Sequence, residues 1–509
     1  MPASRLGFRA GAILIVFSAL SALSAQQLGD SFSPRAIVAD LTAPGTDNGL
    51  RADPLRHAEA DAIKQRMRAR IPDSLYAPGS IIVKFRPGTS VPARQAMLAL
   101  VNGTATPPTT YANFDIVALD ASADPEAIAA RLSSQPDVEY AQARYRFKPL
   151  FVPNDPLYAR QWNYTAIDME RAWDINRGAS PSITVAVIDT GVAYRSAVVR
   201  FSTTNPIARI FFPRVNFVDV PFAAAPDLAS ADRFVAPRDF VWDDTDPLDL
   251  DGHGTHVSGT IGQLTNNGIG VAGMAFNVKI MPIKVVPSDW DVVFQGAVNG
   301  GTDDAVARAI RYAVDNGAKV LNMSIGRNGP PAPVIQDALS YAVSHGAFVA
   351  VAGGNEFLEG NPISRPADVA PQIDGVVSVA AVGRNLLRAR YSSTGSYIEL
   401  SAPGGDQVRD GETGGVLQQT VDQDFAFPVS GPPRFDIFAY EFFQGTSMAT
   451  PHVSGFAALL MQQGITSPAA IEVAMKRYAT DIGAVGRDNE YGSGLINPRA
   501  TLRGMGLVK

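Results

Sequence analysis

The chain has 509 residues, 46% hydrophobic and 18% charged, so it can bury a large core and is not a disordered polar chain. Its 43 Lys and Arg against 49 Asp and Glu leave a net charge of −6, which argues against a chain-wide nucleic-acid or membrane-surface role. It has no cysteine, which excludes disulfides, a thiol nucleophile, Cys-ligated zinc and a lipid-modified N-terminal Cys.

Arg5 and Arg9 precede an apolar run over 10–17, and small residues follow through Ala25. That order predicts a secretory signal over 1–25, cut near Ser24 or Ala25. The run is shorter than the roughly 20 residues of a spanning helix, so the mature protein is expected to be exported, to the medium or the periplasm, with no membrane anchor. Residues 26–75 read as a polar linker with one helix over 55–70. Residues 80–145 carry strand patterns at 80–85, 115–119 and 138–144, a helical pattern at 92–101, and a helix at 124–134 with Pro125 in its first turn. The order β-α-β-β-α-β predicts a small α+β unit of the split βαβ, ferredoxin-like kind.

From about 150 the pattern changes to alternating strands and helices. β-branched and apolar runs fall at 183–188, 278–286, 318–324, 347–352 and 376–382. A helix over 302–317 starts at Thr302 or Asp303, puts Val306, Ile310 and Ala313 on one face, and stops at Gly317. The alternation predicts an α/β domain with a parallel sheet covered by helices on both faces. Ligands of such sheets sit at the carboxyl ends of the strands.

Three motifs fall at such ends. In VAVIDTGV (185–192), Asp189 closes a buried strand. In DGHGTHVSGT (251–260), His253 lies between two glycines and His256 follows one helical step later. Taken alone the motif reads evenly as catalytic or structural; an HxxH pair also suits a metal site, but zinc would need a third ligand. In GTSMATPHVSG (445–455), Ser447 precedes an apolar helix, where free N–H groups favour developing negative charge. A serine hydroxyl needs a base, and that base needs an orienting carboxylate. Of the five histidines, His57 lies outside the α/β domain, His345 suits a helix end and His452 lies within the Ser447 helix, leaving His253 and His256.

These motifs resemble the subtilisin-like serine proteases, in the chain order Asp189, His253, Ser447, over roughly 155–500. The resemblance implies a secreted serine endopeptidase made as a zymogen and acting through an acyl-enzyme. It implies Asn355, in VAGGNE, as an oxyanion donor beside the Ser447 N–H. It implies Ser324, Ile325 and Gly326 as an edge that pairs with extended peptide substrates. In TNNGIGV (265–271) it implies structural Ca²⁺ held by the Asn267 side chain and the Ile269 and Val271 carbonyls. Residues 26–150 become a linker and an inhibitory propeptide domain whose tail lies in the cleft, with processing between 145 and 154, and 151–509 become the peptidase domain. The mature form is expected to be a monomer acting on proteins or peptides, with no nucleic acid and no membrane as partner. Insertions at 195–248 and 405–443 depart from the compact family pattern, and the second is rich in Phe. The acidic run Asp243, Asp244, Asp246, Asp249, Asp251 reads as a solvated loop or a further cation site. Two other readings stand beside the protease: an exported binding protein on the same scaffold, and a metal-dependent hydrolase using Asp189, His253 and His256.

Overall fold

A computed structural model describes residues 76–106, 111–146, 151–230, 232–296, 300–428 and 431–504. The predicted signal segment and linker helix lie outside the described residues. The small unit runs β1 (Tyr76–Phe85), α1 (Val91–Ala99), β2 (Thr104–Ala105), β3 (Asp115–Ala118), α2 (Pro125–Ser133) and β4 (Val138–Tyr145). Its four-stranded sheet has the order β2-β3-β1-β4, all antiparallel, as a split βαβ unit requires. Strand β2 supplies the second strand that the sequence pattern had not located, because two residues cannot display an alternation. Helix α2 starts where predicted: Asp124 accepts the N–H groups of Glu126 and Ala127, and Pro125 opens the first turn. Ile81, Val83, Val117, Leu132 and Val138 form the core of this unit.

The larger part runs β5 (Thr184–Asp189), β6 (Ala197–Ser202), β7 (Phe217–Phe222), β8 (Arg238–Asp239), α3 (His253–Gly262), β9 (Lys279–Lys284), α4 (Asp289–Gln295), α5 (Asp303–Asp315), β10 (Val320–Met323), α6 (Pro333–Ser344), β11 (Phe348–Ala352), β12 (Val376–Val382), β13 (Leu400–Pro403), β14 (Val416–Val421), β15 (Phe438–Phe443) and α7 (Thr446–Gln462). Seven strands form one sheet in the order β13-β12-β11-β10-β5-β9-β8, every neighbouring pair parallel. Strand side chains alternate between faces, so the apolar runs feed two cores. Val185 and Val187 join Val257, Ile261 and Val453 under α3 and α7. Ala186 and Ile188 join Ile310, Ala338 and Leu339 under α5 and α6.

The two insertions are hairpins. Strands β6 and β7 pair antiparallel over 197–222, with Phe201 stacked on Phe294 of α4 at 4.2 Å. Strands β14 and β15 pair antiparallel over 416–443 and lie on α3. Four of the second insertion's six Phe residues pack inward, Phe435 and Phe442 buried and Phe438 and Phe443 half-buried against the core, while Phe425 and Phe427 are exposed.

At the carboxyl edge of the sheet, Lys284 ends β9 in register with Asp189 of β5 and Asp239 of β8. Its Nζ lies 2.8 Å from Asp291 Oδ2 and donates to the Leu248 carbonyl at 3.0 Å. Lys284 and Asp291 are both fully buried. Burial pushes Asp239 up to about 7 against the pull of Lys284. Removing one partner of a buried pair strands the other charge, at a cost of about 3–5 kcal/mol. Lys284→Met is therefore expected to lower unfolding stability by about that much, read from denaturant midpoints. A change below about 1 kcal/mol would contradict this account of the edge.

Candidate functional site

Asp189 is the last residue of β5 and is fully buried. Its Oδ1 accepts the Thr190 N–H at 2.8 Å and lies 2.7 Å from His253 Nδ1. Among the described residues no group hydrogen-bonds its buried Oδ2. His253 is the first residue of α3, with its side chain partly open to the cleft. The flanking glycines are needed for close approach. A Cβ on Gly254 would stand 2.1 Å from the Gly191 carbonyl oxygen, and Gly252 has φ +109°. Burial alone would push the imidazole pKa down. The Asp189 charge and hydrogen bond, with Asp251 and Asp249 behind them, outweigh that and lift it to about 9.

A second carboxylate organises the loop. Asp249 is buried, and its Oδ1 accepts from the Thr190 hydroxyl and from the N–H groups of Asp251 and Gly252. Its Oδ2 accepts both donors of Thr255. Thr190 Oγ1 in turn accepts the Gly254 N–H at 2.9 Å. The acidic run divides: Asp243 and Asp244 are exposed, as the solvated-loop reading expects, while Asp249 is buried in the fold. Asp249 caps the His253 turn, Asp246 pairs with Arg195 and Tyr194, and Asp243 pairs with Arg238. No group of three or more His, Cys, Asp or Glu placed to hold a metal occurs among the described residues.

Ser447 is the second residue of α7. Its hydroxyl donates to the Ser324 carbonyl at 3.1 Å and not to His253, a different choice from the serine–imidazole bond the resemblance implies. Catalytic hydrogen bonds in unliganded sites are often long or poorly aligned and tighten only on substrate binding. The Ser324 hydroxyl donates back to the Ser447 carbonyl at 2.7 Å. Asn322 and Ser454 extend this chain and tie β10 to α7. Ile325 packs against the α5–α6 core and also lines the cleft, and Gly326 follows beyond the end of β10.

Asn355 follows β11 and two glycines. Its Oδ1 accepts both the N–H and the hydroxyl of Thr446, each at 2.9 Å. With the oxygen fixed, the amide's Nδ2 faces the other way. An added Cβ on Gly445 would lie 3.5 Å from the Ser447 nitrogen and 3.7 Å from Asn355 Nδ2, so both N–H donors border one small space. Asp189, His253, Ser324–Gly326, Asn355 and Ser447 all line one cavity of about 380 Å³.

Among the described residues, none of the small N-terminal unit lines that cavity, and residues 147–150 of the expected tail lie outside the described residues. Phe151 is held elsewhere. Its N–H donates to Asp174, and its ring packs on Trp173 and Phe276, with Arg177 over its face. Phe276 precedes β9, so Phe151 sits at the amino end of the sheet, roughly 17 Å along β5 from Asp189 at about 3.3 Å per residue.

His256 and His452 are structural. His256 Nε2 faces the Val416 and Glu441 carbonyls at 3.1 Å, so it carries the proton, and the ring stacks on Phe443 at 4.4 Å. Burial pushes it down to about 3. His452 donates from Nδ1 to the Met448 carbonyl and accepts from Asn163 at Nε2, and burial pushes it down to about 4. Neither lines the cavity that holds Asp189 and His253, so among the described residues the ligand set of the metal-hydrolase reading is not brought together.

The loop expected to hold calcium closes on two carboxylates that sequence reading missed. Asp155 accepts the Asn266 and Asn267 N–H groups. Asp227 Oδ1 accepts from Asn267 Nδ2 at 2.7 Å, and its Oδ2 accepts from the Val271 N–H. Asn267 Oδ1 accepts the Ile269 N–H. Burial pushes Asp155 up and Asp227 up to about 6. Asp155 and Asp227 lie 111 and 40 residues from the loop, so no local motif could have joined them to it.

Residues 180–494 match the model of the subtilase family, and residues 65–143 match that of the fervidolysin N-terminal prodomain. The chain is 30% identical over 420 residues to a thermophilic serine proteinase of Bacillus sp. (strain AK1), covering 82% of this chain and 86% of that one. It is 30% identical over 407 residues to an extracellular protease of Xanthomonas campestris, covering 75% of this chain and 62% of that one. Among solved structures it resembles a protease of Pseudoalteromonas arctica, with a TM-score of 0.53 and 30% identity, over 70% of this chain and 99% of that one. The chain belongs to the subtilase family and is a serine endopeptidase with an N-terminal prodomain, which sets aside the reading as a non-catalytic binding protein.

The imidazole resonance of His253, followed by NMR in Ser447→Ala protein, is expected to titrate near 9 and to move to lower pH in Asp189→Asn. A raised folded-state pKa stabilises the fold fully below the unfolded value of about 6.5, and that contribution is lost as pH rises through about 9. Titration below about 6.5 with Asp189 intact would contradict the pairing.

Proposed function

We propose that this subtilase cleaves protein substrates outside the cell by a Ser447–His253–Asp189 mechanism. The observation that carries the reading is the 2.7 Å contact of His253 Nδ1 with a buried Asp189, in the cavity that also receives Ser447 and Asn355. The bound peptide lies extended along Ser324, Ile325 and Gly326, pairing main chain to main chain. Ser447 Oγ attacks the scissile carbonyl carbon as His253 Nε2 takes its proton. Asp189 keeps the proton on Nδ1 and balances the imidazolium. The carbonyl oxygen becomes an anion between the Ser447 N–H and Asn355 Nδ2, which the Thr446 clamp already aims. His253 then returns the proton to the leaving amine, breaking the C–N bond. Water, deprotonated by the same imidazole, releases the acyl group and restores Ser447.

Residues 1–25 act as the export signal, 26–150 as linker and inhibitory prodomain, and 151–509 as the peptidase, a monomer in its mature form. The anchoring of Phe151 on Trp173 and Phe276 supports a boundary just before it.

Calcium fits the 265–271 loop. Asp155 and Asp227 are buried carboxylates, both pushed up by desolvation, and a hard cation compensates such a pair. Asp155, Asp227, the Asn267 side-chain oxygen and the Ile269 and Val271 carbonyls would hold it. When bound it supplies a cross-link between the segment at 155, the segment at 227 and the loop, and no chemistry.

Ser447→Ala is expected to abolish casein cleavage, with a loss of about 10⁶ in turnover, while the far-UV spectrum is unchanged. Casein cleavage at an ordinary rate by that variant would sink the assignment. Chelation of calcium is expected to lower Tm, and Asp227→Asn is expected to remove that response. An equal Tm drop in both proteins would place the cation elsewhere.

A further inference from the structure

The loop that delivers His253 also delivers a carboxylate to the cleft. Asp251 stands two residues earlier, held by its N–H on Asp249 Oδ1 and by Gln423 Nε2 on its carbonyl. One side-chain oxygen accepts the His253 backbone N–H at 3.1 Å. Its other oxygen takes no donor among the described residues, and the side chain lines the cavity beside His253. Among the described residues no Lys or Arg lines that cavity. The charges around Asp251 are the carboxylates of Asp249 and Asp189 and the ring of His253. That ring is committed to Asp189 and is neutral when it acts as a base. Burial above all, then Asp249, push Asp251 up to about 6, and only the His253 ring and its N–H pull the other way.

The cavity is the one already described, so the ligand that meets Asp251 is the substrate. Among its lining residues, Gly354 and Glu356 flank Asn355 and an added Cβ on Gly354 would lie 2.8 Å from Ser364, which makes one wall, whereas Val286 donates its N–H to the Asp189 carbonyl and so stands with His253 and Asp251 as a second. An extended peptide turns successive side chains to opposite sides. The residue whose carbonyl sits between the Ser447 N–H and Asn355 Nδ2 sends its side chain along the first wall. The residue before it sends its side chain along the second. Methylenes lying on Val286 with a cationic tip on the open oxygen of Asp251 satisfy both halves of that wall.

We infer that Asp251 is a specificity-determining residue that selects Lys or Arg at the position immediately N-terminal to the residue whose carbonyl is attacked. This rests on the protease reading above. The test uses mature protein and three fluorogenic peptides identical except for Arg, Leu or Glu at that position. A charge-assisted contact predicts a kcat/KM ratio of Arg to Leu of about 10–100 in the native enzyme. The ratio is expected to fall to near 1 in Asp251→Asn, and Asp251→Lys is expected to prefer Glu over Arg. A native ratio near 1 overturns the inference. So does an Asn variant that slows all three peptides while keeping the native ratio, because Asp251 would then serve only the His253 turn. Absence of any Ser447-dependent cleavage of the three peptides would overturn the protease reading itself, and this inference with it.

Discussion

A fully buried carboxylate facing an imidazole is the constraint around which this molecule is built. Burying Asp189 without a partner would be costly, and one of its oxygens has none among the described residues. The charge is sustained by His253 at 2.7 Å and by the Thr190 N–H. The dependence is mutual, because against the burial that lowers the imidazole the Asp189 charge and hydrogen bond are the largest lift, with Asp251 and Asp249 behind them. Everything that fixes the spacing of β5 against α3 therefore acts on the proton affinity of one ring nitrogen.

Three layers fix that spacing. The parallel sheet places the end of β5 between β10 and β9. Backbone contact between Gly191 and Gly254 brings the two turns together where any side chain would separate them. Asp249 then fastens Thr190 on one side to Asp251, Gly252 and Thr255 on the other. The β14–β15 hairpin seals the outer face of α3, where Thr420 donates to the Gly252 carbonyl at 2.6 Å and Phe443 covers His256. An insertion that reads as surplus in the sequence thus helps hold the histidine turn.

The strands of the central sheet were legible because each is a short, fully buried apolar run bounded by turns, and the predicted spans at 183–188, 347–352 and 376–382 fall on β5, β11 and β12. Helix α5 was legible from its one apolar face, with its stop before Gly317 at φ +89°. Strand β2 was not, since its pairing with β3 is set by tertiary contact and not by its own pattern. Within the site, Asp189, His253 and Ser447 were legible as residue types at strand and helix ends. The oxygen-fixing role of Thr446 and the knot at Asp249 were hidden, because both depend on hydrogen bonds whose partners no spacing rule connects. Asp227 escaped for the same reason, lying inside the first insertion and meeting the 265–271 loop only in three dimensions.

The central claim is that one hydroxyl, at 447, is made nucleophilic by the ring at 253. Its most direct test is mass-spectrometric mapping of the full chain after treatment with a fluorophosphonate. The account predicts a single adduct, on the peptide carrying Ser447, and its loss in His253→Ala. An adduct on a different serine, or undiminished labelling of Ser447 without the imidazole, would contradict it.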